Sequence, residues 1–456
     1  MNLRPYQLND VTRIRQAFAT DSKILYVLPT GGGKTTCFCY IAASAQTKGT
    51  RTWIIAHRQE LTKQGSATLS RFNVPHGMIQ AGYPTTNDIT QVCSLQTVVG
   101  RIGKVPAPDF IIFDECHHAT SGSYRKIMEA YPMARILGVT ATPCRTDGKG
   151  LGEVFQQMIL GPTTKQLTEA GFLSPARYFA PPMVADLSGV KRRGGDYARE
   201  GLEEAMQSNA ITGDAVDHYR RLCDGVPMIV FCVSIKHAKD VAEAYRNAGY
   251  AATHVDGQLS DDERASRLDG LGSGRYQVIT SCDLIGEGLD IPSVVAAQLL
   301  RPTQSTSLHL QQIGRALRPS DGKECAIILD HVGNTLKHGM ATSVREWSLD
   351  GLARKSRAKV EDDVVIQTCP ECYGVHEPTP ICPYCGYERP TQARTIKYTK
   401  GELQEMQEAT MKFRKEQDRK AVTLEELIQL GKDRNYKNPE FWAKMKMKGR
   451  SAWKRR

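Results

Sequence analysis

A short apolar run that turns into a glycine loop ending in Lys-Thr leaves few folds open to this chain. Ile24-Leu25-Tyr26-Val27-Leu28 has the length of a buried strand, and Thr36 to Gln46 carries few breakers and reads as a helix. Between them lies Pro29-Thr30-Gly31-Gly32-Gly33-Lys34-Thr35. Strand, glycine loop and helix together make a phosphate cradle: glycines let backbone N–H groups converge on an anion, and the helix N-terminus adds its positive end. Lys34 is placed to reach β- and γ-phosphates, and the Thr35 hydroxyl to hold Mg²⁺, with Thr36 next to it. The general pattern G-x-x-x-x-G-K-[ST] asks for glycine where this chain has Leu28. A merely flexible turn is the alternative, and Lys-Thr in register behind a strand argues against it.

Such a loop needs a parallel sheet around it. Thr52 to Ala56, Ile89 to Cys93, Phe110 to Phe113 and Ile136 to Thr140 are short runs rich in β-branched or aromatic residues, separated by amphipathic stretches such as Arg58 to Arg71. The alternation restarts at Met228 to Val233 and continues through Ala252 to Val255, Gln277 to Ser281, Val294 to Leu300 and Cys325 to Asp330. Helical stretches Lys236 to Ala248, Asp261 to Leu271 and Ser307 to Leu317 separate these runs. No second phosphate loop accompanies them. The expected architecture is α/β, with two tandem parallel-sheet domains at 1–160 and 226–345, joined by a connector with a helical insertion at 161–225. A charged linker (346–365), a cysteine module (366–390) and a basic helical tail (391–456) follow. No apolar run approaches ~18 residues, which speaks against a membrane span. Met1 to Tyr6 has no apolar secretory core, so a cytoplasmic chain is expected.

Phe110-Ile111-Ile112-Phe113 runs directly into Asp114-Glu115-Cys116-His117. Carboxylates at the C-terminal end of a strand, in the domain with the phosphate loop, suit a nucleotide site. Asp114 would hold Mg²⁺ through water, and Glu115 would orient the attacking water. With these residues in view, the chain resembles the superfamily 2 helicases and translocases of DExH type, whose loop variant P-T-G-x-G-K-T accounts for Leu28. The resemblance covers roughly residues 3 to 335 and implies that the two tandem parallel-sheet domains are RecA-like. It implies that Arg4-Pro5-Tyr6-Gln7 reads adenine, with Gln7 as the contact. His57 and Arg58 (motif Ia), Gln96 and Thr97 (motif Ib), Ser234 (motif IV) and Thr280 (motif V) would follow the nucleic-acid strand, and Thr140, opening motif III, is grouped with them. Gly288 and Asp290 of motif V would help hold the nucleotide. Gln311-Gln312-Ile313-Gly314-Arg315-Ala316-Leu317-Arg318 resembles motif VI, so Arg315 and Arg318, three apart on one helix face, would reach across the cleft to the γ-phosphate.

Thirteen cysteines in a chain without an export signal do not suggest disulfides. Nine are scattered, several in apolar runs. The other four form C-x2-C-x9-C-x2-C: Cys369, Cys372, Cys382 and Cys385. Two pairs at that spacing can close a tetrahedral, structural Zn²⁺ site. Of the net charge of +11, +9 falls in the last 66 residues, with 18 Lys+Arg against 9 Asp+Glu. In that tail Phe441 and Trp442 lie among lysines, either to stack on bases or to anchor the tail.

Motor domains, four-cysteine module and basic tail in this order resemble the RadD-type helicases of bacteria and their phage relatives. That narrower resemblance implies ATP-driven work on single-stranded or branched DNA in repair or recombination, as a monomer on DNA in the nucleoid, with a single-strand-binding protein as partner. Three other readings stand beside it: a DExH RNA helicase, a duplex-DNA translocase that separates no strands, and a scaffold with a dead ATPase. Intact Lys34, Glu115, Arg315 and Arg318 argue against the last.

Overall fold

The computed structural model describes residues 3–145, 149–180, 190, 192–193, 196–197, 202, 211–282, 294–350, 366–389, 417–418, 420–434, 436 and 438–453. Seven strands make the first sheet: β1 (Lys23–Val27), β2 (Thr52–Ala56), β3 (His76–Ile79), β4 (Thr90–Ser94), β5 (Phe110–Asp114), β6 (Arg135–Thr140) and β7 (Gln157–Leu160). Their order is β3-β4-β2-β5-β6-β1-β7, and every pairing is parallel. Alternation along each strand fills two cores. Ile24 and Tyr26 enter the core on one face, and Leu25 and Val27 enter the core on the other. A sheet covered on both faces accounts for strands that read as continuous apolar runs.

The second sheet has β8 (Ala176–Phe179), β11 (Met228–Phe231), β12 (Ala252–Val255), β13 (Val278–Ser281), β14 (Ala296–Leu299), β15 (Ala326–Asp330), β16 (Gln367–Thr368) and β17 (Gly374–His376), beside a separate small hairpin of β9 (Arg192–Arg193) and β10 (Asp196–Tyr197). Its order is β12-β13-β11-β14-β15-β8-β17-β16, parallel up to β8 and antiparallel beyond. Two expectations change here. The stretch read as a connector supplies β8, whose Ala-Arg-Tyr-Phe sequence lacks a β-branched run and takes its strand form from pairing with β15. The cysteine module is not free-standing either: Gly374 and Val375 of β17 pair with Phe179 and Tyr178 of β8, extending the sheet. Compactness divides the chain at Arg389, with residues after it forming a second unit.

The two sheets are bridged at several points. Glu60 pairs with Arg264 at 2.8 Å and Lys63 with Asp261 at 3.7 Å. The Thr142 and Ser307 hydroxyls, both buried, share a short hydrogen bond. After the second domain the chain returns to the first: the Gly152 N–H donates to the Leu349 carbonyl at 2.8 Å. Residues 346–350 therefore dock rather than link, and the rest of the expected linker lies outside the described residues. Arg345 shapes this return by donating to the carbonyls of His338, Met340, Ala341 and Ser343.

Three histidines in the second domain are held neutral by burial. His309 and His331 are drawn down to about 3, and His338 to about 4. Unfolded histidines titrate near 6.5, so below that pH the unfolded chain binds more protons and stability falls as pH drops. At pH 5 the cost reaches about 2 kcal/mol per histidine. Thermal unfolding followed by circular dichroism is expected to give a clearly lower midpoint at pH 5.0 than at 7.5, and His331→Gln to blunt the difference. Equal midpoints for the wild type would refute this.

Candidate nucleotide site and nucleic-acid face

β1 delivers the chain into the loop, and the helix Lys34–Gln46 receives it. Gly31 and Gly33 lie in the left-handed region, at φ 85° and 84°. A side chain at Gly33 would also collide with Gln7, because its Cβ would lie 2.4 Å from the Gln7 amide nitrogen. The Arg4–Gln7 segment clamps the loop from the side. The Tyr6 hydroxyl donates to the Gly32 carbonyl at 2.7 Å, the Gln7 amide donates to the same oxygen at 3.2 Å, and the Arg4 N–H donates to the Gln7 side-chain oxygen at 2.9 Å.

β5 ends at the other wall. Asp114 is buried and its Oδ1 accepts the Glu115 N–H at 2.9 Å. Glu115 takes φ 48°, a conformation costly for a non-glycine residue and concentrated at functional sites. Its carboxylate lies 3.8 Å from Lys34 Nζ and 3.4 Å from His117 Nδ1. Burial, and then the adjacent Glu115, push Asp114 up to about 7. Two neighbouring carboxylates so short of water call for cationic charge. Lys34 supplies one, and a divalent ion held by Asp114 and Thr35 fits the rest.

The second domain closes the site. Thr30, Gly31, Gly33, Lys34, Thr35, Thr36, Asp114 and Glu115 share a cavity of about 300 Å³ with Arg315 and Arg318. Gly314 sets the approach: a Cβ there would lie 2.7 Å from the Thr30 Cβ. Arg315 is in the last turn of Thr306–Ala316, but Arg318 lies beyond that helix. This differs from the expected shared helix face. Pro319 disfavours helix at the residue before it, and the Lys323 ammonium takes the freed carbonyls of Ala316 and Arg318. Desolvation lowers Arg318 to about 10, which leaves it cationic.

Phe172 was not legible in advance. It lines the same cavity, with its ring 5.1 Å from Tyr6 and 4.7 Å from the Arg4 guanidinium. It belongs to no motif, and the aromatic after Gly171 was its only signal. Pro29 lies in the loop as expected, and its carbonyl accepts the Gly32 N–H. Gly288 and Asp290 lie outside the described residues.

Because β2 and β4 are neighbours, their C-terminal ends bring His57 and Arg58 beside Gln96 and Thr97. The Gln96 amide lies 3.4 Å from the His57 carbonyl. Of the other candidates for the strand face, Thr140 and Thr280 are buried and Ser234 is half-buried. Thr140 is fully buried, with its hydroxyl donating to the Thr142 carbonyl at 3.0 Å. Thr280 is fully buried and donates to the Ala238 carbonyl at 2.6 Å. Both lie within strands covered on both faces, so neither hydroxyl reaches a nucleic acid. Ser234 caps the helix Ile235–Asn247 by accepting the His237 N–H at 3.1 Å.

The four cysteines fold as two matching knuckles. In each, the N–H of the first cysteine donates to the carbonyl five residues on, and its carbonyl accepts the N–H four residues on. The residue after each second cysteine, Tyr373 or Gly386, is left-handed. The four sulfurs lie within 4.8 Å of one another. Burial raises Cys372 to about 12, whereas at Cys382 the N–H groups of Tyr384 and Cys385 outweigh burial and lower the thiol to about 6. Sulfurs this close cannot all ionise without a cation, and Zn²⁺ fits the donor set. Among the described residues no helix is long and apolar enough to cross a membrane.

Two family models match the chain in series. "Type III restriction enzyme, res subunit" matches residues 1–145, and "helicase conserved C-terminal domain" matches residues 215–320. A 51.5 kDa protein of a Lactococcus phage is 31% identical over 79% of this chain and 77% of its own length. The DNA 3'-5' translocase XPB2 of Sulfurisphaera tokodaii is 25% identical over 72% of this chain and 81% of its own. Among solved structures, a fragment of a putative HsdR subunit of a type I restriction enzyme from Vibrio vulnificus superposes with a TM-score of 0.59 at 22% identity. That match covers 74% of this chain and 65% of the other, and it speaks to the fold. The two matched regions fall on the two RecA-like sheets in the order found along the chain, and the likeness to the phage protein extends across both, so the chain belongs to the superfamily 2 helicases, nucleic-acid-dependent ATPases.

Proposed function

We propose that the chain is a DNA motor that couples ATP hydrolysis between its two domains to movement along, or opening of, single-stranded or branched DNA. One observation carries the reading: Lys34, Asp114 and Glu115 from one domain share a cavity with Arg315 and Arg318 from the other. The loop N–H groups and Lys34 bind the phosphates. Thr35 and Asp114 would hold Mg²⁺, which neutralises phosphate charge. Glu115 orients the attacking water, and the two arginines stabilise charge developing on the γ-phosphate. Losing that phosphate removes what the arginines hold, so turnover becomes a cycle of opening and closing. His57, Arg58, Gln96 and Thr97 form the strand-following face on the first domain.

DNA is favoured over RNA by the archaeal relative's name and by the restriction-enzyme family that matches the first domain. We further infer a RadD-like role in repair or recombination, with a single-strand-binding protein as partner and a monomer as the working unit. Backbone contacts should dominate, so binding should weaken steeply with salt. The test is ATP turnover and strand separation over single-stranded, duplex and forked DNA and over RNA. Stimulation by single-stranded or forked DNA is expected, and a strict RNA requirement would overturn the DNA assignment.

A further inference from the structure

The unit after Arg389 contains a basic helical hairpin, Leu424–Asp433 and Pro439–Trp453. Its two adjacent aromatics have different tasks. Trp442 holds the hairpin together: its ring lies 5.1 Å from Tyr436, and it abuts Gly431, where an added Cβ would lie 3.3 Å from the indole. Leu427 and Ala443 are fully buried in the same seam. Arg434 and Lys446 both lie 5.8 Å from the indole and are tied at 2.7 Å to Asp418. Phe441 takes no part in this, being 65% exposed. Met445, one helical turn on, is 58% exposed, and the exposed Lys444 lies beside it. Between Arg434 and Arg456 there are nine Lys and Arg, and Glu440 is the sole acid.

We propose that this hairpin is a second nucleic-acid site, one that takes a single strand. An unpaired base would stack on Phe441 and rest against Met445, while Lys444 and the surrounding positive charge meet the phosphates. The charge and the family's need for nucleic acid together favour this occupant. Two apolar side chains are too little surface to seat a partner helix or to enter a membrane, but they match one or two bases. The site suits single strands because a duplex hides its base faces. The inference rests on the family's nucleic-acid dependence and not on the choice of DNA over RNA.

The test uses the full chain carrying Phe441→Ala with Met445→Ala, probed with a fluorescent 30-mer of deoxythymidine and its ribouridine counterpart. Anisotropy is expected to show about tenfold weaker binding of the preferred single strand, a 30-base-pair duplex binding as before, and Phe441→Trp restoring affinity. Lys444→Gln is expected to shallow the salt slope of single-strand binding by about 0.7. ATP turnover at saturating oligonucleotide should stay at the wild-type rate, with only the half-saturating concentration raised. Unchanged single-strand binding overturns the proposal, as does equal loss of duplex and single strand. So does selective loss of binding to anionic lipid vesicles or an acidic peptide with oligonucleotide binding intact. If neither oligonucleotide stimulates wild-type turnover, the DNA-motor reading fails, and anisotropy still decides the hairpin.

Discussion

Arg315→Ala is expected to cut ATP turnover about 10³-fold while leaving ATP binding within a few-fold, with Arg318→Ala acting in the same direction. Arg315 lines the cavity of Lys34 and Glu115 because its helix lies against Thr30 at Gly314. That geometry supplies an independent variant. Gly314→Val leaves both arginines in the chain but places a side chain where Thr30 stands, so it should lose turnover through separation of the two halves. Arg315→Ala added to Gly314→Val should then cost little more, because the two changes disable one unit. Lys34→Ala is expected to abolish turnover through loss of phosphate binding, and Glu115→Gln to bind ATP but hydrolyse it poorly. Single-turnover kinetics with a fluorescent ATP analogue separate these outcomes. Turnover within fivefold of wild type for Arg315→Ala would remove its assigned role.

The phosphate loop and the Asp-Glu strand end were legible because each ties a chemical need to a local pattern. Glycine at 31 and 33 meets a left-handed backbone, and the apolar strand β5 carries Asp114 at its C-terminal end with Glu115 directly after it. The strands legible in advance were those buried on both faces, such as β2 and β11, whose composition says what surrounds them. Those missed lie at sheet edges or take their form from a partner. β3 includes a histidine and a glycine, β7 lies at the edge beside β1, and β8 acquires strand form between β15 and β17. Side-chain direction was the second loss. Thr140 and Thr280 fall where family motifs place strand-contacting residues, yet a motif position does not say which way a hydroxyl points in a covered sheet. The tail shows the same limit: Phe441 and Trp442 are neighbours in sequence, and only the crossing at Gly431 shows which one the hairpin needs.

Removing the metal from the cysteine module is expected to destabilise the second domain as well as the module. Residues 366–389 are too few to build a core, so their fold is expected to depend on the four thiolates sharing a cation. Purified protein should carry about one Zn²⁺ per chain, and Cys372→Ser should lose it. The effect spreads through β17, which covers the edge of β8, and through Tyr384, whose ring packs 5.8 Å from Phe179 and 4.9 Å from the Arg177 guanidinium. With the knuckles open, β8 becomes an exposed edge, a template for pairing with other chains. Cys372→Ser should therefore lower the melting temperature by roughly 5–10 °C, taking a few kcal/mol at ~2–4 °C each, and should promote aggregation on heating. Tyr384→Ala separates the two causes: it keeps the sulfurs and the metal but loses the packing, so it should retain zinc and show part of the shift. A zinc-free Cys372→Ser protein that melts like the wild type would show that the module only decorates the sheet. A wild type that folds and melts normally without zinc would show that the four sulfurs need no metal.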